Sequence, residues 1–100
     1  MTEGEFMSNQ SIGIIGADPE QLANLGRTLQ RQRDIVDGVL ATVGTALDGT
    51  TWTGPARRAF EADWSGGFRV ALQRLAEAFA ASGHECQVRA DELRRVMGAI

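Results

Sequence analysis

One hundred residues, 43% of them hydrophobic, make one small domain and not a disordered chain. A net charge of -3 and a pI of about 5.0 exclude nucleic acid as the main partner, because such binders need a basic face to displace counterions. A single cysteine, Cys86, and a single histidine, His84, exclude an internal disulfide and a His/Cys metal cluster, so oligomerisation is the remaining source of extra stability for so small a core.

Residues 1–17 carry Glu3 and Glu5 but no Lys or Arg. The apolar run Ile12–Gly13–Ile14–Ile15 is shorter than the roughly 7–15 residues of a secretory signal core, so no Sec-type signal is expected. This segment reads as a flexible leader, with Met7 as an alternative start. No apolar run approaches the roughly 18 residues of a membrane span.

Residues 18–100 read as one helical unit. Asp18–Pro19–Glu20–Gln21 predicts a helix start: Asp18 as N-cap, Pro19 at the first helical position, Glu20 at the positive end of the dipole and Gln21 completing a capping box. Leu22, Leu25, Leu29, Val36, Val39, Val43 and Leu47 then recur at steps of three and four, with Gln32 filling the one polar slot in the series. A first helix over about 18–47 follows. With Ile35 and Leu40 the apolar arc is ~140° wide, more than a two-helix seam needs.

The period stops at Asp48–Gly49–Thr50–Thr51, where Gly49 is expected to turn left-handed. The corner spans 48–54, with Thr53 as a candidate N-cap ahead of Gly54 and Pro55. A second helix over about 55–100 carries Phe60, Trp64, Phe68, Leu72, Leu75, Phe79, Cys86, Ala90, Leu93 and Met97 on one stripe. Gly66–Gly67 mark a bend. This helix is longer than the first, so its end is expected to overhang or to meet another chain.

The fold class is therefore all-α: an antiparallel two-helix hairpin. The wide stripe calls for a second hairpin, giving a four-helix bundle on dimerisation. Leu22, Leu25, Leu29, Val36, Val39, Val43, Phe60, Trp64, Phe68, Leu72, Leu75 and Phe79 are the expected hairpin or dimer interface. Phe60, Trp64 and Phe68 lie close enough in sequence to stack beneath Trp52. An indole at the corner can clasp both helix ends or stand out for recognition.

Enzymatic readings are weak. His84, Glu85 and Cys86 are adjacent on a helix and point about 100° apart, so they do not converge on one atom. Cys86 lies on the apolar stripe, where a thiol behaves as a small hydrophobe. Arg57–Arg58 stand at a helix start, where positive charge opposes the dipole, and read as solubility or docking charge. Neither a catalytic residue nor a cofactor is expected.

Trp52–Thr53–Gly54 resembles the Trp-X-Gly motif of the WXG100 family, the small helical-hairpin substrates of type VII (ESX) secretion. The length, the mid-chain position, the continuation Pro55–Ala56, Phe60 and Trp64, and the opening Ile15–Gly16–Ala17–Asp18–Pro19–Glu20–Gln21–Leu22 are similar to its actinobacterial members. The resemblance implies a hairpin that forms a homodimer or heterodimer with another such protein. It implies export in pairs, or service as the targeting partner of a larger type VII substrate. Trp52 and Gly54 would border a composite surface for the secretion ATPase. The protein would be secreted, and cytoplasmic before export.

The sequence departs from that pattern at the family's export signal, a Tyr and, after three intervening residues, an Asp or Glu. There is no Tyr in the chain. Gln87 occupies the place of the aromatic in Gln87–Val88–Arg89–Ala90–Asp91, and no flexible tail follows. A partner would then supply the signal. The alternative is a non-exported helical regulator, chaperone or immunity-type adaptor that masks a partner.

Overall fold

Asp18 starts the first helix as its side chain predicts: Oδ1 accepts the backbone N–H of Glu20 at 2.8 Å and of Gln21 at 3.1 Å. A computed structural model describes residues 16–98; most of the leader, including Met7, and the last two residues lie outside the described part. Helix α1 spans Pro19–Asp48. After the corner, α2 spans Pro55–Asp63, a single π turn spans Trp64–Phe68, and α3 spans Arg69–Gly98. These last three run on as one rod, of which α3 is folded back antiparallel against α1. The hairpin measures 67 × 30 × 13 Å. Among the described residues there is no strand, and no helix is long and apolar enough to cross a membrane.

The break in the second rod falls at Trp64–Ser65–Gly66–Gly67–Phe68. Its two glycines have weak helix propensity, and the N–H of Arg69 bonds back to the carbonyl of Trp64, one residue further than in an α-helix. The position expected to bend, Gly66–Gly67, lies inside this π turn.

The seam between the rods is built from small side chains. Ala23 and Ala90 are fully buried, and Ala76, Gly26 and Gly83 are buried with them. Among the described residues only two large apolar side chains are buried, Val36 and Trp64. Of the other stripe residues, Leu22, Leu29, Val43, Phe60, Leu72 and Phe79 are half-buried, while Leu25, Val39, Phe68 and Leu75 are exposed. Two cross-helix bonds join the rods. Gln87 Nε2 donates to Ala23 O at 3.0 Å, and Gln30 Nε2 donates to Ala80 O at 3.3 Å.

Around the Gly26–Gly83 contact this arrangement turns the apolar stripes aside from the seam, while the stripe residue Val36 stays buried. At about 100° per residue, Ala23, Gly26 and Gln30 sit roughly 110° round α1 from the mean direction of its Leu/Val stripe. Ala76, Ala80, Gly83 and Gln87 are offset from the α3 stripe by roughly 70° in the same sense. Leu25, Ile35 and Val39 of α1 and Leu75 of α3 are all left exposed outside the seam.

The rods keep pace almost to the end of α3, where Arg94 Nη2 reaches Glu20 Oε2 at 3.4 Å. Past that contact α3 ends with exposed Val96 and Met97, and at the other end the α2 backbone extends beyond the reach of α1. Ion pairs decorate the outside. Glu85 and Arg89, 2.7 Å apart, form the i,i+4 pair that their spacing predicts. The Glu85 hydrogen bond and charge raise the Arg89 pKa above its ordinary value. Both side chains are exposed, so the pair adds little to stability.

Candidate functional site: the Trp-X-Gly corner

The C-terminal end of α1 must satisfy carbonyls that no further turn reaches. Gly49 N–H bonds to Thr45 O at 3.0 Å, Thr50 N–H to Leu47 O at 3.3 Å, and Thr50 Oγ1 to Ala46 O at 2.6 Å. Gly49 does this at φ -86 and ψ -1, a right-handed conformation. The expected left-handed stop at Gly49 is therefore corrected: the hydroxyl of Thr50 and the loop that follows supply the bonds that a left-handed cap would have made.

The left-handed residue is Gly54, at φ 111 and ψ -176. Only glycine populates this region readily, since a Cβ would strain the backbone there. Space is not the constraint, because a Cβ on Gly54 would meet no atom within 4 Å. Gly54 is also the N-cap of α2, in place of the expected Thr53, and its carbonyl accepts the N–H of Arg58 at 3.1 Å. No side chain caps this end. Pro55 removes one orphan donor at the first helical position.

Arg57 holds the corner together. Its Nη1 donates to Thr50 O at 3.2 Å and to Trp52 O at 3.0 Å, and its Nη2 donates to Leu47 O at 3.2 Å. Nε lies 3.0 Å from Glu61 Oε2 but is not aimed at it, so that contact is an ion pair and the Nε–H is left unbonded. The planar guanidinium fork can serve several carbonyls at once, which an ammonium point charge cannot.

Sequence reasoning missed this residue. Arg57 follows a helix start, where its charge looks unfavourable. Folding carries it to the negative end of the preceding helix, which has no basic residue in its own last turn. That missing cation, followed within ten residues by an Arg across a short turn, was the available signal. Arg57→Ala is expected to lower unfolding free energy by roughly 1–3 kcal/mol, the range for lost hydrogen bonds to a charged group. Arg57→Lys is expected to recover only part of it. Urea denaturation followed by helix content checks both.

Trp52 rests on this scaffold with 40% of its surface exposed. Its ring packs against Phe60 at a centroid distance of 6.3 Å, tilted by 39°. Of the three aromatics expected beneath it, only Phe60 is there. Trp64 is turned into the seam, and Phe68, 55% exposed, is turned out of it. The indole stands between two shallow hollows. One is mainly apolar, lined by Val43, Ala46, Leu47 and Phe60 with the methyl-bearing Thr42 and Thr50. The other is polar, lined by Thr53, Gly54, Arg57, Arg58 and Glu61. An exposed indole with an apolar groove on one side and cations on the other can bind an apolar anchor flanked by acidic groups.

The residues that invited an enzymatic reading do not assemble. His84 is exposed and Cys86 is a half-buried free thiol, both far along α3 from the corner. Among the described residues, no three His, Cys, Asp or Glu side chains are grouped to hold a metal. Compared with family models, curated proteins and solved structures, the chain matches none.

Proposed function

We propose that this chain is a small non-enzymatic hairpin protein of type VII (ESX) secretion, working through its surface as an exported substrate or as the dimer partner that targets one. The observation that carries the reading is the apolar surface left outside the seam. A hairpin closed by Ala, Gly and Gln leaves Leu25, Ile35, Val39 and Leu75 exposed. A stable pair would bury roughly 800 Å² on each partner. Two such hairpins packed together make a four-helix bundle. The Trp-X-Gly corner at one end supports the same reading, with Trp52 held partly in solvent by Arg57 and Phe60.

In this reading a homodimer or a heterodimer with a similar hairpin is the functional unit. The secretion ATPase or a larger type VII substrate meets it at the corner. Trp52→Ala is expected to leave the pair assembled and to reduce its export from cells with an active ESX system to a small fraction. Export at the parental level, measured in culture filtrate, would count against the corner as the recognised element.

One observation favours the second reading, a non-exported adaptor that masks its partner. Gln87 occupies the register position of the family's signal Tyr, and its amide is committed to Ala23 O inside the hairpin. Finding the protein only in the cytoplasmic fraction of such cells would select this alternative.

A further inference from the structure

The same spaced pattern, E-x2-A-x2-G-x3-Q-x3-D, occurs twice in the chain. It runs from Glu20 through Ala23, Gly26 and Gln30 to Asp34, and again from Glu77 through Ala80, Gly83 and Gln87 to Asp91. The two copies lie on opposite rods and face each other. Their contacts are reciprocal. Gln87 bonds the carbonyl of Ala23, and Gln30 bonds the carbonyl of Ala80. A Cβ placed on Gly26 would come within 2.9 Å of Gly83 O and 2.8 Å of Gln87 Nε2. A Cβ placed on Gly83 would come within 3.0 Å of Gly26 O and 2.8 Å of Gln30 Nε2. The matched distances describe a local two-fold axis passing between the two glycines.

We propose that this repeat is a self-complementary clasp that fixes the register of the hairpin. Each rod offers one glycine that admits the other backbone and one glutamine that bonds it. Apolar contacts are non-directional and tolerate a slip of one ridge. A close backbone approach bracketed by two amide–carbonyl bonds does not, because a slipped helix carries both amides away from their carbonyls. The clasp therefore determines which side chains stay outside, whatever later covers them. It does not depend on the functional reading above.

Nitroxide labels at Arg31→Cys and Ala81→Cys, both exposed, in a Cys86→Ala background, report the register by pulsed dipolar EPR. The full chain is diluted with unlabelled protein so that distances arise within one molecule. With both glutamines present a single narrow distance is expected. Gln30→Ala with Gln87→Ala is expected to broaden it or to add a population displaced by about 5 Å, one helical turn. A narrow, unmoved distribution in that variant overturns the proposal. Should the glutamine variant lose its helix content, the glycines decide. Gly26→Ala and Gly83→Ala are each expected to lower the urea midpoint, although alanine is the better helix former. Together they should lower it by less than the sum, because the first already parts the rods. Gly38→Ala, with open space around it, is expected to raise the midpoint. A rise with Gly26→Ala overturns the clasp.

Discussion

Ile35→Glu with Val39→Glu is expected to abolish pairing of the hairpin while leaving the hairpin itself folded. The two side chains are 56% and 41% exposed and lie one turn apart on the outer flank of α1. In a lone hairpin, carboxylates at such positions stay in water, and the cost falls within the roughly 0.5 kcal/mol usual for surface substitutions. Across a paired face each carboxylate loses its water without a partner. A penalty of about 2–5 kcal/mol for each such buried, unpaired charge weakens association by more than about a thousandfold for the two. Sedimentation at micromolar concentration separates the cases: the parent should run as a pair, the variant as a single chain with unchanged helical circular dichroism. A parent that sediments as a stable monomer removes the basis for a paired function. A variant that still pairs moves the interface elsewhere.

Trp64→Ala is expected to cost roughly 3–5 kcal/mol in unfolding free energy, the range for truncating a buried aromatic. Trp64 is 8% exposed and is the largest side chain in the seam. It also begins the π turn, so a cavity there opens beside a backbone already lacking one regular α-helical bond. Trp52→Ala removes the same side chain from a half-solvated corner, and a loss of about 1 kcal/mol is expected from the smaller area returned to water. Equilibrium urea unfolding at one fixed protein concentration compares the two, since any pairing would make stability concentration-dependent. Equal losses would mean that the two indoles are equally buried in solution.

Much of the fold was legible in the sequence. The cap at Asp18, the first helix, the break after Asp48, the glycine-marked irregularity at 66–67 and the antiparallel return all follow from period, propensity and punctuation. Those signals are local, and local signals survive folding. The corner was half legible. Trp52, Gly54 and Pro55 declared a turn, but the left-handed residue was placed five positions too early, because Gly49 and Gly54 carry the same conformational freedom. Which of them uses it depends on where the second rod must go. Arg57 was illegible for a related reason. A charge is judged by its neighbours, and the carbonyls of Leu47, Thr50 and Trp52 become its neighbours only when the chain turns back.

By itself the sequence determined that this chain is a pair of amphipathic helices joined at an aromatic corner, with more apolar surface than one seam can use. Periodicity measures how much of a helix is greasy and on which side. Only the tertiary structure decided which flank meets the other rod. Close backbone approach favours Ala and Gly, and the amides of Gln30 and Gln87 find carbonyls there, so the small, polar edge forms the seam and Leu25, Ile35, Val39 and Leu75 are left exposed.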